Sequence, residues 1–210
     1  RTLTGLSMSI LIGVLAAGVS AVMALILGIC AATLGKKVDS AISFAIDTVM
    51  GIPHILLLIL ISYAMGKGVK GVIAGVALTH WTSLARLIRG EVMQLRESEY
   101  IQIAGKLGLG KWEIAKKHIV PHVLPQFIVG LVLLFPHAIL HESSITFLGF
   151  GLSTEQPAIG VILSESMRYL IMGKWWLAVF PGMMLVLTVV LFEKGGTALR
   201  QLLDPGSVHK

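Results

Sequence analysis

Long apolar stretches alternate with short polar segments along most of this chain. Five stretches approach the roughly 20 residues that an α-helix needs to cross a bilayer. They lie at about 5–34, 41–65, 71–88, 123–148 and 175–193. Glycine and other small residues recur within them, which favours close packing of helices in lipid. The pattern therefore predicts an all-α polytopic membrane protein with five spanning helices.

The composition supports this prediction. Of the 210 residues, 55% are hydrophobic and only 13% are charged, and the mean hydropathy is +0.86. A soluble domain usually has about 25% charged residues, so a single soluble core does not account for the sequence. Pro53 falls inside the second stretch, where a kink is tolerated if neighbouring groups satisfy the freed carbonyls.

The basic residues predict how the chain is oriented. The net charge is +6, and lysine and arginine concentrate at residues 86–118 and at Lys36 and Lys37. With alternating spans, these two segments lie on one side together with Lys194 and Arg200. The positive-inside rule makes that side the cytoplasm. The chain then begins outside and ends inside, with 149–174 as an outer loop. No nucleic-acid-binding motif is present.

The segment 89–121 is too long to be a simple turn between two spans. Its apolar residues recur at helical spacing on both sides of a glycine break, "GLGK": Tyr100, Ile103, Ala104 and Leu107 before it, and Trp112, Ala115 and Ile119 after it. We therefore expect two short helices that meet at a tight elbow on the cytoplasmic face. A basic loop bound to lipid headgroups is one alternative, but the apolar stripe favours a protein partner with a groove for a helix.

The segment "AGKLGLGKWEIAKKHIVP" resembles the EAA loop of ABC importer permeases. Gly108 and Pro121 take the positions of the glycine and proline of that motif, Ile103 and Ala104 take its alanine positions, and Gln102 takes its glutamate position. Four further segments appear in the order expected for the second permease of dipeptide, oligopeptide and nickel importers. They are "ALTHWTSLARLIRGEVMQLRESEY", "SSITFLGFGLS", "VFPGMMLVLTVV" and "ALRQLLDP". The resemblance covers essentially the whole chain.

The resemblance implies a fold and a set of partners. Residues 1–210 would form one type I ABC importer transmembrane domain that lacks the first helix of the family, with its coupling loop at about 89–121. The partners would be a second permease chain, two cytoplasmic ATPase subunits and an extracytoplasmic binding protein, in the inner membrane of a bacterium or archaeon. ATP and Mg²⁺ would bind to the ATPase subunits, because this chain lacks a G-x-x-x-x-G-K-[ST] phosphate loop. It is thus expected to be a transport subunit and not an enzyme. The residues expected to couple to the ATPase are Ala104, Leu107, Gly108, Trp112 and Pro121.

The segment "FPHAILHESS" places polar side chains inside the fourth predicted span. His137 and His141 are four residues apart and share one face of a helix, with Glu142 beside it. Imidazole is a good ligand for nickel and other divalent metals, and the histidine pair resembles that of nickel-type family members. We expect these three residues to line the substrate pathway, with transient metal contacts at His137 and His141. The alternative is a structural role, in hydrogen bonds to neighbouring helices.

Two other histidines are expected to have a packing role. His54 and His80 are predicted to lie near the cytoplasmic ends of their spans, at helix interfaces.

The leading functional hypothesis is import of nickel or a nickel chelate, driven by ATP hydrolysis in partner subunits. The alternative is a permease of a di- or oligopeptide importer. A stand-alone ion channel or secondary transporter is a more remote possibility, because it would not need the elbow at 89–121. A membrane enzyme with a metal site is disfavoured, since no further acid or nucleophile lies beside the cluster of His137, His141 and Glu142.

Overall fold

The computed structural model describes residues 1–203, and this part of the chain is helical with no β-strand. In chain order the helices are α1 (Thr2–Thr33), α2 (Lys36–Gly51), α3 (His54–Ala64), α4 (Gly68–Arg96), α5 (Glu99–Lys106), α6 (Lys111–Ile114), α7 (Val120–Phe147), α8 (Ile159–Leu170) and α9 (Trp176–Leu203). A π-helical turn, Ala115–Ile119, joins α6 to α7. The end of the "ALRQLLDP" segment and the C-terminus, whose side of the membrane was predicted, lie outside the described residues.

Four helical segments are long and apolar enough to cross a membrane: Thr2–Thr33, Gly68–Arg96, Trp112–Phe147 and Trp176–Leu203. The bent pair formed by α2 and α3 gives a fifth span if it is counted as one. Within the part of the chain that is described, the predicted all-α, multi-span architecture is therefore confirmed. The outer loop predicted at 149–174 also contains a helix, α8.

The second predicted span is not one continuous helix. The axes of α2 and α3 differ in direction by 100°. The break lies at Ile52 and Pro53, where Ile52 adopts an extended conformation with ψ 137°. Proline lacks an N–H group and disfavours the helical conformation in the residue before it. The result is a sharp turn where a kink was expected.

The elbow segment also differs from the sequence prediction at both ends. The third predicted span stopped at residue 88, whereas α4 continues to Arg96. The second elbow helix was expected to stand alone, but residues 112–147 form one long helical segment. The π-helical turn ends two residues before Pro121, which cannot donate a backbone hydrogen bond and whose ring would crowd a regular α-helical turn. The wider turn lets the helix continue past the proline.

The core lies where α1, α4 and α7 pack together. Small side chains of α1, among them Ala17, Ala21 and Ala24, are fully buried and allow close approach of α4. A β-carbon at Gly28 would lie 2.9 Å from the carbonyl oxygen of Ala85, so the two backbones nearly touch there. Close contact of this kind is how helices pack in lipid, where small residues replace large apolar ones at the interface.

Polar side-chain contacts join the termini of neighbouring helices on both sides of the bundle. At one end, Arg96 donates to the carbonyl oxygen of Ala32, and Arg89 forms a two-pronged ion pair with Asp39. The ends of α1 and α4 and the start of α2 therefore lie together, near the elbow. At the other end, Arg1 is paired with Glu165, which brings the start of α1 to α8.

Candidate functional site

A cavity of about 600 Å³ lies at the bend between α2 and α3, against α4 and α7. Four histidines line it: His54, His80, His137 and His141. The rest of the lining includes apolar side chains and the hydroxyls of Thr79, Thr82 and Ser83, and no carboxylate lines the cavity among the residues that are described. The site therefore concentrates imidazole groups in a wall that is otherwise apolar or neutral.

Three of these histidines form one cluster, which we call the histidine triad: His54, His80 and His141. The centroid of the His54 ring lies 4.6 Å from that of His80 and 4.6 Å from that of His141. The His80 and His141 centroids are 4.8 Å apart. Each ring offers a nitrogen atom, and these three nitrogen atoms all lie within 4.8 Å of one another. The three rings come from α3, α4 and α7, so the cluster joins three different helices.

Backbone carbonyls hold two of the triad rings in position. The Nδ1 atom of His80 is 3.0 Å from the carbonyl oxygen of Val76, and that of His141 is 2.7 Å from the carbonyl oxygen of His137. A carbonyl oxygen only accepts hydrogen bonds, so in both histidines Nδ1 carries the proton. In the neutral form of each ring the lone pair is then on Nε2, and the Nε2 atom of His80 lies 3.3 Å from the Nδ1 atom of His141.

The bend supplies the third ring. His54 is the first residue of α3 and directly follows Pro53, the residue at the break. Without the 100° change of direction, α3 would continue the axis of α2. The proline in the apolar stretch is thus the local feature that brings His54 to the other two histidines.

The structure rearranges the predicted histidine site. His141 belongs to the triad, whereas His137 is exposed, lines the same cavity and contributes its backbone carbonyl to His141. The prediction that His54 and His80 lie near the cytoplasmic ends of their spans is wrong. His54 lies at the bend and His80 near the middle of α4. Sequence reasoning missed them as site residues because proximity between separate helices leaves no periodic signal.

Glu142 lies outside this cavity. Its side chain is fully buried, and its carboxyl oxygens accept hydrogen bonds from the hydroxyls of Ser143 and Thr146, each at 3.1 Å. The Ser9 side chain of α1 also interacts with this carboxyl group. Glu142 therefore connects α7 to α1 inside the bundle.

The elbow places apolar side chains on its outer surface. Leu107 is 79% exposed and Trp112 is 80% exposed, and Tyr100 and Ile103 are also exposed. We call these four side chains the elbow patch. Ala104, by contrast, is only 7% exposed, so it packs inward.

The turn between α5 and α6 requires glycine. Gly108 has a φ of +91°, in the region that residues with a β-carbon rarely adopt, although open space surrounds it. Pro121 begins the spanning part of the helix that follows the elbow and lies beside a second cavity that Arg200 also lines.

Residues 24–207 match the family described as the inner membrane component of binding-protein-dependent transport systems. The dipeptide transport system permease DppC of Bacillus subtilis is 32% identical over 98% of this chain and 64% of its own length. The oligopeptide permease OppC of the same organism is 31% identical, over 98% of this chain and 67% of its own length. The probable D,D-dipeptide permease DdpC of Escherichia coli is 29% identical, over 98% of this chain and 68% of its own length. The chain thus spans slightly less than two thirds of the first of these relatives.

Solved structures show a similar fold. An inward-facing structure of the MetNI methionine ABC transporter matches 96% of this chain and 95% of its own chain, with a TM-score of 0.78 and 15% identity. A crystal structure of an amino acid ABC transporter with histidines matches 95% of this chain and 92% of its own, with a TM-score of 0.69 and 18% identity.

Proposed function

The chain belongs to the family of inner membrane components of binding-protein-dependent transport systems, and we propose that it is the permease subunit of an ABC importer for di- or oligopeptides. Its helical fold is that of type I ABC importer permeases. Its apolar helices and its family identify it as a multi-pass protein of the inner membrane.

One observation carries the peptide assignment. Permeases named for peptides, dipeptides or oligopeptides are 29–33% identical to this chain over 98% of its length. A peptide cargo fits these relatives better than the nickel cargo that was the leading expectation from the sequence. That expectation depended on His137 and His141 as a pair, and in the structure only His141 joins the histidine triad.

The elbow patch supports an importer that works with an ATPase. Tyr100, Ile103, Leu107 and Trp112 expose apolar side chains on one polar segment, and in our proposal they form a binding surface for another protein. A channel or secondary transporter working alone would have no use for this surface. In our proposal the patch docks in a groove of one ATPase subunit, and that subunit and its copy hold ATP and Mg²⁺.

The helix after the elbow gives a mechanism for coupling. From Trp112 to Phe147 the chain forms one continuous helical segment. At 1.5 Å per residue, the distance along it from Trp112 to His141 is about 40 Å. Movement of a docked elbow would therefore displace the wall of the cavity directly. Gly108 permits the turn, Ala104 packs α5 inward, and Pro121 marks the point where the elbow helix becomes the spanning helix.

The remaining partners follow from the proposed function. A second permease chain would complete the translocation pathway, and an extracytoplasmic binding protein would deliver the peptide. Membrane lipid would cover the outward-facing apolar side chains of α9, most of which lie on the surface of this chain.

The test is peptide uptake by the assembled transporter. The full-length protein would be produced with its genetic neighbours in a host that lacks its own peptide importers. We expect the accumulation of labelled di- and tripeptides to depend on this chain and on ATP, and to be inhibited by unlabelled peptide. A strain with an inactive ATPase partner is the control. ATP-dependent uptake of nickel-63 with no uptake of peptides would contradict the proposal and restore the nickel hypothesis.

A further inference from the structure

We propose that the histidine triad is a binding site for a divalent late first-row transition-metal ion, such as Ni²⁺, Co²⁺, Cu²⁺ or Zn²⁺, that passes through the cavity with the cargo. The inference rests on the proposed function only in placing the cavity on the transport pathway. The three imidazole rings that would bind the ion are seen in the structure and do not depend on the proposed function.

The chemistry of the donors selects this class of ion. Imidazole nitrogen suits zinc, copper, nickel and iron, whereas magnesium and calcium prefer oxygen ligands. His54, His80 and His141 each offer a nitrogen atom, and these atoms lie within 4.8 Å of one another. No carboxylate lines the cavity among the described residues. The donor set is therefore entirely nitrogen.

The hydrogen bonds of the triad rings are of the kind that usually orients histidine ligands of a metal. A histidine that binds a metal generally donates its other N–H to a carbonyl or carboxylate, which fixes the tautomer and the ring orientation. The bonds from His80 to the Val76 carbonyl and from His141 to the His137 carbonyl are of this kind. In its neutral form each ring thus has its lone pair on Nε2, which is the form of imidazole that binds a metal.

The distances require only a small closure of the rings. Metal–nitrogen bonds of about 2.0–2.1 Å in a tetrahedral site place ligand nitrogens about 3.3 Å apart. The triad nitrogens lie within 4.8 Å of one another. In our proposal the side chains of His54 and His141, which are only partly buried, rotate to bring the nitrogens to that separation.

The site leaves positions for ligands from the cargo. Three imidazoles fill three of the four positions of a tetrahedral site, and the cavity of about 600 Å³ lies on the open side. Neutral ligands do not compensate the charge of the ion, so in a low-dielectric wall the site favours cargo that adds an anionic ligand. A small chelating peptide supplies an amine and a carboxylate. Both a free ion and a metal–peptide chelate offer the same metal chemistry to the triad.

The experiment measures metal binding by the assembled transporter in detergent or nanodiscs, without transport. Co²⁺ is the spectroscopic probe, because four-coordinate nitrogen ligation gives visible absorption bands much stronger than those of the aqueous ion. We expect these bands to saturate at one equivalent per copy of this chain. Ni²⁺ alone and Ni²⁺ complexed with glycyl-histidine would then compete with Co²⁺, and the stronger competitor identifies the free ion or the chelate as the bound form.

Single substitutions separate the triad from the other histidines. His54→Gln, His80→Gln and His141→Gln should each weaken Co²⁺ binding at least about tenfold. Loss of a residue that only hydrogen-bonds to a metal ligand already costs about that much affinity. His122→Gln is the matched control, because His122 lies outside the cavity, and it should leave binding unchanged. His137→Gln should weaken binding less than the triad variants do, because the backbone carbonyl that holds His141 is retained.

A measurement on the unaltered transporter keeps the proposal testable if a variant fails to assemble. The electron spin echo of the Cu²⁺-loaded complex is modulated by the remote nitrogens of coordinated imidazoles, and we expect more than one imidazole. Absence of the Co²⁺ bands, a single coordinated imidazole, or equal losses in His122→Gln and His80→Gln would each overturn the proposal. Failure of peptide uptake with intact metal binding would contradict the proposed function alone.

Discussion

At the scale of single residues, the histidines show what sequence spacing can and cannot predict. The i, i+4 rule places His137 and His141 on one face of α7, and both line the same cavity. The rule is local, however, and His80 and His141 are 61 positions apart. Their proximity arises from the packing of α4 against α7, and that of His54 arises from the turn at Pro53. Neither has a periodic signature in the sequence.

Glu142 is a second residue whose role depends on its surroundings. The sequence offered a pathway role or a structural one. The structure buries the side chain completely and surrounds its carboxyl group with hydroxyl donors. The network extends further, because the Thr146 hydroxyl accepts from the backbone N–H of Leu152, and Ser9 accepts from that of Ile159. Glu142 thus lies at the centre of the contacts that join α1, α7 and the segment leading to α8.

Substitution of Glu142 should therefore affect stability first. Glu142→Ala leaves the Ser143 and Thr146 hydroxyls without their acceptor, and each unsatisfied buried group costs about 1–3 kcal/mol. We expect a lower melting temperature in detergent, and a smaller decrease for Glu142→Gln, which keeps an acceptor oxygen. Thermal unfolding of the purified protein measures both. Loss of transport in both variants at unchanged melting temperature would contradict this and assign Glu142 to the pathway.

At the scale of elements, prediction worked best where the local signals were strong. The glycine break between two amphipathic segments predicted the turn between α5 and α6, and Gly108 does have the positive φ that such a turn requires. Prediction failed at both ends of the same segment. Nothing in the polar sequence after residue 88 ends the helix, so α4 continues to Arg96. The fourth span was predicted to begin at about 123, but the π-helical turn at Ala115–Ile119 makes the helix continuous from Trp112.

The elbow patch yields a prediction at this scale. Leu107→Glu and Trp112→Glu each place a charge on a surface that we propose is buried against an ATPase. Truncation of a hot-spot residue at the centre of an interface costs about 2 kcal/mol or more, which corresponds to about a thirtyfold loss of affinity. We expect both variants to accumulate in the membrane at normal levels but to lose co-purification of the ATPase, and with it peptide uptake.

The matched control for the elbow is Ile171→Glu. Ile171 is 94% exposed and follows α8, at the opposite end of the bundle from the elbow. It therefore introduces the same charge on an apolar exposed residue without touching the patch. If Leu107→Glu and Ile171→Glu reduced ATPase binding equally, or if neither did, the elbow would have no role in docking.

At the scale of the whole molecule, the basic segments lie at the same end of the helix bundle as the elbow. This agrees with the predicted alternation of spans. The ion pair of Arg89 with Asp39, and the contact of Arg96 with the end of α1, bring the polar ends of three helices to the elbow side. The side chain of Arg200 lines a cavity together with Pro121, so the end of α9 lies on the same side. Composition and hydropathy were sufficient for this level of organisation, because the spacing of spans determines which loops share a side.

This sorting predicts the orientation in the membrane. The elbow side carries most of the lysine and arginine, so it should face the cytoplasm. In a Cys30→Ala background, which removes the single cysteine, we expect Lys37→Cys and Leu202→Cys to react with a membrane-impermeant maleimide only after the cells are permeabilised. Glu155→Cys, on the exposed segment before α8, should react in intact cells whose outer envelope has been removed. Labelling of Leu202→Cys in intact cells would show that the orientation of the helices in the membrane is the reverse of the predicted one. The elbow patch would then lie outside the cell, where no ATPase could reach it. This result would therefore contradict both the predicted orientation and the coupling proposal.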